Sequence, residues 1–268
     1  MSARILTLRN ALQTDVDASA LIPECLRGLT DAAIASLPLP GKLRVADLFD
    51  IGGEDSEHLV LRNATMRLTH VGARMKTGMV RVEGDCGPCT GMGMRGGQIL
   101  VTGSAGAYAG CEMRAGILEI EGNVGDFAGS ALPGNKQGMR GGIVIVHGNA
   151  GDRVGDRMRR GLILVAGDAG DCCGARMLAG TVVVKGKVGA LPGLALKRGS
   201  LLLDFPPAAL PVTFQDSGEH QLLFLTLLEK DLRRRGEPFA RFVPLPTRVR
   251  RYCGDLATGA TGEILVRT

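Results

Sequence analysis

The chain has 268 residues and is 45% hydrophobic, so it can bury a sizeable core, yet only 3% is aromatic and it has no Trp. Net charge is +5, and 25 of the 32 basic residues are Arg, a balance too modest and too poor in rings for a nucleic-acid platform. No apolar run approaches the ~18 residues of a membrane helix, so a membrane partner is not expected either.

The N-terminus, "MSARILTLRNALQTDVD", shows no long apolar core and no small-residue cleavage site, so no signal peptide is expected. With seven Cys, an odd number, reduced thiols and a cytoplasmic location are the default. "ARILTLR" reads as a strand, and Ile22 to Leu37 as one helix, followed by "LPLPG". Residues 1–50 are thus expected to form an N-terminal cap with strand and helix.

From there the chain repeats itself. Met followed by Gly three residues later occurs at Met75/Gly78, Met94/Gly97, Met113/Gly116, Met139/Gly142, Met158/Gly161 and Met177/Gly180, and Leu196/Gly199 continues the series. The successive intervals are 19, 19, 26, 19, 19 and 19. The single long one carries seven extra residues around "SALPGNK", whose Pro-Gly marks a surface excursion. Counted from each Met, Gly also recurs at +9, +12 and +16, as in Gly84, Gly87 and Gly91, where the chain must turn or approach another backbone closely.

Between the +3 and +9 glycines run "MVRVE", "QILVT", "ILEIE", "IVIVH", "LILVA", "TVVVK" and "SLLLD". Positions +5 and +7 are aliphatic in all of them, while +6 varies from Arg81 to Leu164, which is the period of a strand with one constant face. Strands of about five residues cannot stand alone; stacked one per repeat they make a parallel sheet along a solenoid. The expected fold is therefore mainly β: a parallel β-helix of about seven 19-residue coils with helical end-caps, spanning residues 51–205. Right-handed winding is the default for parallel crossovers. The Met, +5, +7 and +11 positions are expected to point inward, an aliphatic bore with little room for rings. His58 to Gly72 opens the solenoid as a degenerate coil.

Residues 206–268 are expected to hold a C-terminal helix and an extended tail. Ser217 is suited to N-cap the helix, with Glu219 and His220 in its first turn and Arg233 to Arg235 in its last, before Gly236 and Pro238. Its broad apolar side needs a partner surface, and the open solenoid end is the expected one. The tail closes with a strand, Glu263 to Arg267.

Cys86-Gly87-Pro88-Cys89 has the spacing of a thioredoxin-type pair, but such a pair needs a helix after it, and "TGMGMRGG" is not one. Cys86 occupies +11, where the other repeats have Ala105, Val124, Ala150, Ala169 and Val188, so a small inward residue is the better reading. Cys172 and Cys173 are adjacent and diverge, and no metal site is expected. His58, His70, His147 and His220 are scattered, and no catalytic residue is identified. Position +1 stands out: Lys76, Arg95, Arg114, Arg140, Arg159 and Lys197 are cationic, and Leu178 alone is not. Stacked about 4.8 Å apart, they form a like-charge ladder that costs energy unless anions lie beside it. It is either a solvated Arg ladder with counterions or a docking strip for an acidic subunit or polyanionic ligand. Asp126, Asp152 and Asp171 form a short acidic column at +13, elsewhere on the repeat.

The repeat of Gly, Met and strand resembles the glycine-rich β-helix of the glutamate synthase C-terminal domain. Four pieces bring a nearer likeness: "ADLFDIGGE", "GMRGGQILVTGSAGAYAG", "GNVGDFAGSALPGNKQGMRGGIVIVHGNAGDRVG" and the closing "RRYCGDLATGATGEILV". Together they resemble the C subunit of formylmethanofuran dehydrogenase and of the related bacterial formyltransferase/hydrolase complex, over nearly the whole chain. The resemblance implies a non-catalytic scaffold subunit in a cytoplasmic hetero-oligomer of one-carbon metabolism, with formyl-transfer and hydrolysis chemistry, and any metals or methanofuran-type carrier, on the other subunits. In methanogens that complex carries molybdenum or tungsten pterin and iron–sulfur centres. In methylotrophic bacteria it moves a formyl group from tetrahydromethanopterin to a methanofuran-type carrier and releases formate. The Arg-rich composition, typical of a GC-rich bacterium, favours the hydrolytic complex, and the polyglutamate tail of the carrier is a natural anion for the basic column. Other readings are a glutamate-synthase-like docking module and an autonomous enzyme using its thiols.

Overall fold

The computed structural model describes residues 2–259 and 261–268. It is mainly β: one large, mostly parallel sheet of 13 strands, with few helices. In chain order the strands are β1 (Ala3–Leu8), β2 (Phe49–Gly52), β3 (Asp55–Ala64), β4 (Met79–Gly84), β5 (Arg95–Val101), β6 (Ala115–Ile120), β7 (Arg140–Val146), β8 (Arg160–Val165), β9 (Thr181–Val184), β10 (Ser200–Leu203), β11 (Gln215–His220), β12 (Val249–Gly254) and β13 (Gly262–Arg267). Their spatial order is β11-β12-β13-β10-β9-β8-β7-β6-β5-β4-β3-β1-β2.

The seven strands read from the repeat, β4 to β10, all form, and each is parallel to the next. Their register follows the repeat, with Val80 opposite Ile99 and Ile99 opposite Leu118. A second run of parallel bridges joins the +11 positions: Cys86 to Ala105, then Val124, Ala150, Ala169 and Val188. The six Met and Leu196 are fully buried, as are the side chains at +5 and +7 to within 1%.

One contact shows why Met and Gly travel together. Gly161 adopts φ +116, and a Cβ there would stand 2.9 Å from the Cε of Met139, one repeat earlier. The Met methyl thus packs on bare backbone, which only Gly permits in that conformation.

Two helix expectations are corrected. Ile22 to Leu37 is not one helix but two short ones, α1 (Pro23–Leu26) and α2 (Asp31–Ala35). Gly28 at φ +74 breaks the chain between them, and the Thr30 hydroxyl accepts the Ala33 N–H at 3.3 Å to start the second. At the other end Ser217 caps no helix. It lies in β11, which pairs antiparallel with β12, and the long C-terminal helix, α4, runs from Leu223 to Arg235 after the short α3 (Val45–Leu48), ending at Gly236 as expected.

The apolar side of α4 does not cover the end of the repeats. With Phe239, Phe242 and Leu245 it packs on Ile145, Leu164, Val183 and Leu202, the outward side chains at +6 in β7 to β10. Those positions are apolar because the C-terminal segment folds back over the outer face of the sheet. The end of the array is closed by β13, which adds to β10 in parallel and brings Ile264 and Val266 into the inner core. Among the described residues no helix is long and apolar enough to cross a membrane.

Candidate functional site: a basic column opening on a cleft

The six cationic side chains at +1 do line up. Five of them follow a buried Met or Leu and donate the backbone N–H to the Met carbonyl one repeat earlier: Arg95 to Met75, Arg114 to Met94 and Arg140 to Met113 at 2.7 Å, Arg159 to Met139 and Lys197 to Met177 at 2.8 Å. Lys76, at the head of the line, donates its N–H to the Glu24 carboxylate from the N-terminal segment, and Thr77 donates to the same oxygen at 3.1 Å.

All six side chains are exposed. Among the described residues none of them makes an ion pair, although Arg and carboxylates pair widely elsewhere on the surface, as Arg250 does with Asp216. Arg159 reaches only the neutral Gln137, at 3.2 Å. The strip therefore carries cations without carboxylate partners, one per repeat except at Leu178.

At the gap left by Leu178 the column opens into a cleft of about 620 Å³. Lys136, Arg157, Arg176 and Lys197 line it, with Gln137, and no carboxylate does. Only Lys197 of these belongs to the column. Arg157 and Arg176 lie directly before Met158 and Met177, in the left-handed region at φ 57 and 53. The recurring "RM" at Arg74, Arg157 and Arg176 was the signal for them. Lys136 comes from the seven-residue excursion, which no repeat alignment could position.

Buried and half-buried polar groups hold the cleft in shape. Asp156 is 3% exposed and grips Arg176 with two bonds, Nε to Oδ1 at 2.8 Å and Nη2 to Oδ2 at 2.5 Å, which raises the guanidinium pKa further. Arg157 donates to the Asn135 carbonyl at 2.6 Å, and Glu112 accepts from Leu132 N–H at 3.3 Å and from Asn135 Nδ2 at 2.5 Å. The excursion is thereby stapled against two repeats. Arg176 is neutralised; Lys136, Arg157 and Lys197 are left to face an anion.

Beside the cleft lies a smaller hollow of about 220 Å³, walled by Tyr108, Phe127 and Pro133 and sharing Arg157 and Arg176. The two rings stack at 4.9 Å with planes 4° apart. In a chain with so few rings this stack was not expected. It exists because +14 is a left-handed position whose side chains lie one above another, here Tyr108 at φ 62 and Phe127 at φ 64.

Cys86 and Cys89 do not face each other. Cys86 is fully buried and accepts a bond from the Thr90 hydroxyl at 3.1 Å, and burial pushes its thiol up to about 12. Cys89 turns to the half-exposed side, toward His70 and Cys111. The acidic column also has an architectural use. Asp126 and Asp152 accept the backbone N–H of Asp152 and Asp171, both at 2.8 Å. Among the described residues no group of three or more His, Cys, Asp or Glu could hold a metal ion.

No protein-family model matches the chain. An 85-residue segment, 31% of the chain, is 42% identical to the C subunit of the formyltransferase/hydrolase complex Fhc of Methylorubrum extorquens, and the match spans about a third (32%) of that relative's length. In three dimensions the chain matches one chain of the crystal structure of the formyltransferase/hydrolase complex (FhcABCD) from Methylorubrum extorquens in complex with methylofuran. That match has a TM-score of 0.92 and 41% identity, and it covers 98% of this chain and 99% of the other.

Proposed function

Because the chain belongs to the C-subunit family of the formyltransferase/hydrolase complex, we propose that it is the scaffold subunit of such a complex and does no chemistry itself. Its partners are the other subunits, which carry out formyl transfer from tetrahydromethanopterin to a methanofuran-type carrier and the release of formate in the cytoplasm. The observation that carries this reading is the match to a chain of that complex over nearly the full length of both. The use of polar side chains also supports it: Asp126 and Asp152 are spent on holding repeat to repeat.

In this reading the repeats of residues 51–205 wind as a β-helix of about seven coils, and residues 1–50 and 206–268 cover its end and flank. The second bridge run from Cys86 to Val188 supports a closed winding, since it adds a second parallel ladder to the main sheet. The winding gives a stiff rod on which partner sites keep fixed positions. The basic column and its cleft are the docking strip, taking either an acidic face of a partner subunit or the polyglutamate tail of the carrier. The absence of any carboxylate from the cleft lining supports an anionic occupant.

The test is charge reversal in the assembled system. Arg114→Glu with Arg140→Glu is expected to weaken both assembly with the partner subunits and retention of the carrier. Unchanged values for both would remove the docking role. Purification of the native complex with subunit identification and metal analysis tests the parent reaction. Molybdenum or tungsten in stoichiometric amount would assign it instead to a formylmethanofuran dehydrogenase, and glutaminase and synthase partners would assign it to a glutamate-synthase-like module.

A further inference from the structure

The left-handed +14 column brings reactive groups together near the N-terminal end of the array. His70, Cys89, Tyr108 and Phe127 occupy successive positions in it, at φ 55, 65, 62 and 64. His70 N–H donates to the Pro88 carbonyl and Cys89 N–H to that of Ala107, both at 2.9 Å, so the imidazole and the Cys89 thiol are neighbours about one strand spacing apart. Cys111 follows Tyr108 by three residues, with its N–H on the Tyr108 carbonyl at 3.1 Å, and its own carbonyl accepts the Gly93 N–H at 2.8 Å. That places it against the turn that begins at Cys89. Cys111 and His70 are thus the groups set beside the Cys89 thiol, and both act on its pKa. The Asp17 carboxylate stands 3.7 Å from His70 Nδ1, and Thr69 Oγ1 lies 3.1 Å from the same nitrogen.

From this arrangement we propose that Cys89 and Cys111 form an oxidisable dithiol, Cys89 attacking and Cys111 resolving, with a hydroperoxide as the oxidant. Cys89 is half-exposed and Cys111 fully buried, so the oxidant meets Cys89 first. Its thiolate sulfur attacks one peroxide oxygen. An S–O bond forms, the O–O bond breaks, and the leaving oxygen takes a proton from water to depart as an alcohol, or as water from hydrogen peroxide. The Cys111 sulfur then attacks the sulfenic sulfur; the S–S bond forms, the S–O bond breaks, and hydroxide leaves with the Cys111 proton as water. Two thiols lose two electrons and the peroxide gains them. The contacts from Cys111 and His70 favour the Cys89 thiolate and lower its pKa, while the Cys111 thiol is raised by the same neighbour and by burial. Cys86, the sequence neighbour with the redox spacing, is excluded by its inward position and its bond to Thr90. The product cross-links one repeat to the next.

The experiment treats the full chain with hydrogen peroxide under non-denaturing conditions, blocks free thiols, and maps disulfides by peptide mass spectrometry. The expected result is loss of two of the seven free thiols, recovered as a Cys89–Cys111 peptide. Cys86→Ser is expected to leave this product intact, and Cys111→Ser to stop at a Cys89 sulfenic acid trapped by dimedone. Without oxidant, iodoacetamide at neutral pH is expected to label Cys89 about tenfold faster than Cys25, whose thiol pKa burial and Glu24 raise, and His70→Gln is expected to narrow the difference. A Cys86–Cys89 disulfide, or no disulfide in folded chain with Cys89 labelling no faster than Cys25, would overturn the proposal.

Discussion

A Cβ on Gly167 would stand 2.2 Å from the side-chain oxygen of Asn149, one repeat earlier in the chain. That oxygen accepts the backbone N–H of Asp168 at 2.8 Å, so the glycine is bare to let the side chain reach the next repeat. The same relation joins Asp85 to Gly103 and Ser104, and Asp168 to Gly186 and Lys187. Gly167→Ala is expected to cost about 2 kcal/mol through overpacking. Asn149→Ala is expected to cost about 1 kcal/mol, by leaving the Asp168 amide without its partner. Asn149→Ala removes the contact with the side-chain oxygen but leaves the Gly148 carbonyl oxygen, 2.7 Å from the same Cβ, so the double variant should cost less than the sum in urea unfolding while keeping part of the Gly167→Ala penalty. Strict additivity would show that the two residues act separately.

What was legible in the sequence was whatever every repeat must satisfy in the same way. Met139 under Gly161, Val80 beside Ile99 and Cys86 beside Ala105 recur because parallel in-register strands impose identical surroundings on equivalent positions. Features that occur once had no such amplification. Ser217 followed by Glu219 and His220 carries a good N-cap pattern, yet cross-strand pairing of Asp216 with Tyr252 and Glu219 with Arg250 claims that segment for the sheet. Ile145, Leu164, Val183 and Leu202, all at +6, were visible as exceptions to the alternation, and they mark where the C-terminal segment lies. Of the four cations lining the candidate cleft, only Lys197 was legible. The +1 column recurs, but Lys136 sits in the one excursion that breaks the repeat, and its distance from Lys197 is a tertiary fact.

The basic column is a cost to the isolated chain and not a source of its stability. Arg114 has exposed cationic neighbours on either side, Arg95 and Arg140, and no carboxylate partner among the described residues. Arg114→Gln is therefore expected to leave folding stability within about 0.5 kcal/mol, on the stabilising side. Added salt screens the repulsion, so the wild-type melting temperature should rise more between low and high salt than that of the variant. A lower melting temperature for Arg114→Gln at low salt would mean that the column already has an anionic partner within the chain.

Phe242 is fully buried between the C-terminal segment and the outer sheet face. Phe242→Ala removes a ring from the middle of that contact, at an expected cost of about 3 to 5 kcal/mol to whatever unfolds with it. The inner core of Met and aliphatic ladders does not include Phe242. Limited proteolysis should accordingly cut residues 206–248 of the variant early, while far-ultraviolet circular dichroism still reports the sheet. Loss of the sheet signal in step with the first cleavage would show that the cover and the repeats unfold as one unit.

Glu229 ties the same cover together. Its Oε1 accepts from Arg233 Nε and Nη2 at 2.9 and 2.7 Å, and its Oε2 accepts the Leu245 backbone N–H at 3.0 Å. The Arg233 bonds are the main cause that lowers its pKa below the ordinary 4.5; burial opposes them, and the Leu245 backbone bond adds to the lowering. A carboxylate lowered on folding stabilises the native state above its unfolded pKa, and that contribution fades as pH falls through the folded value. The wild-type urea midpoint is thus expected to fall on acidification below about pH 4.5 more steeply than that of Glu229→Gln, whose amide cannot titrate. At neutral pH the variant should be the less stable of the two, and the curves should converge toward low pH. Parallel curves would mean that Glu229 carries the same proton in both states, and that the link between α4 and Leu245 owes nothing to its charge.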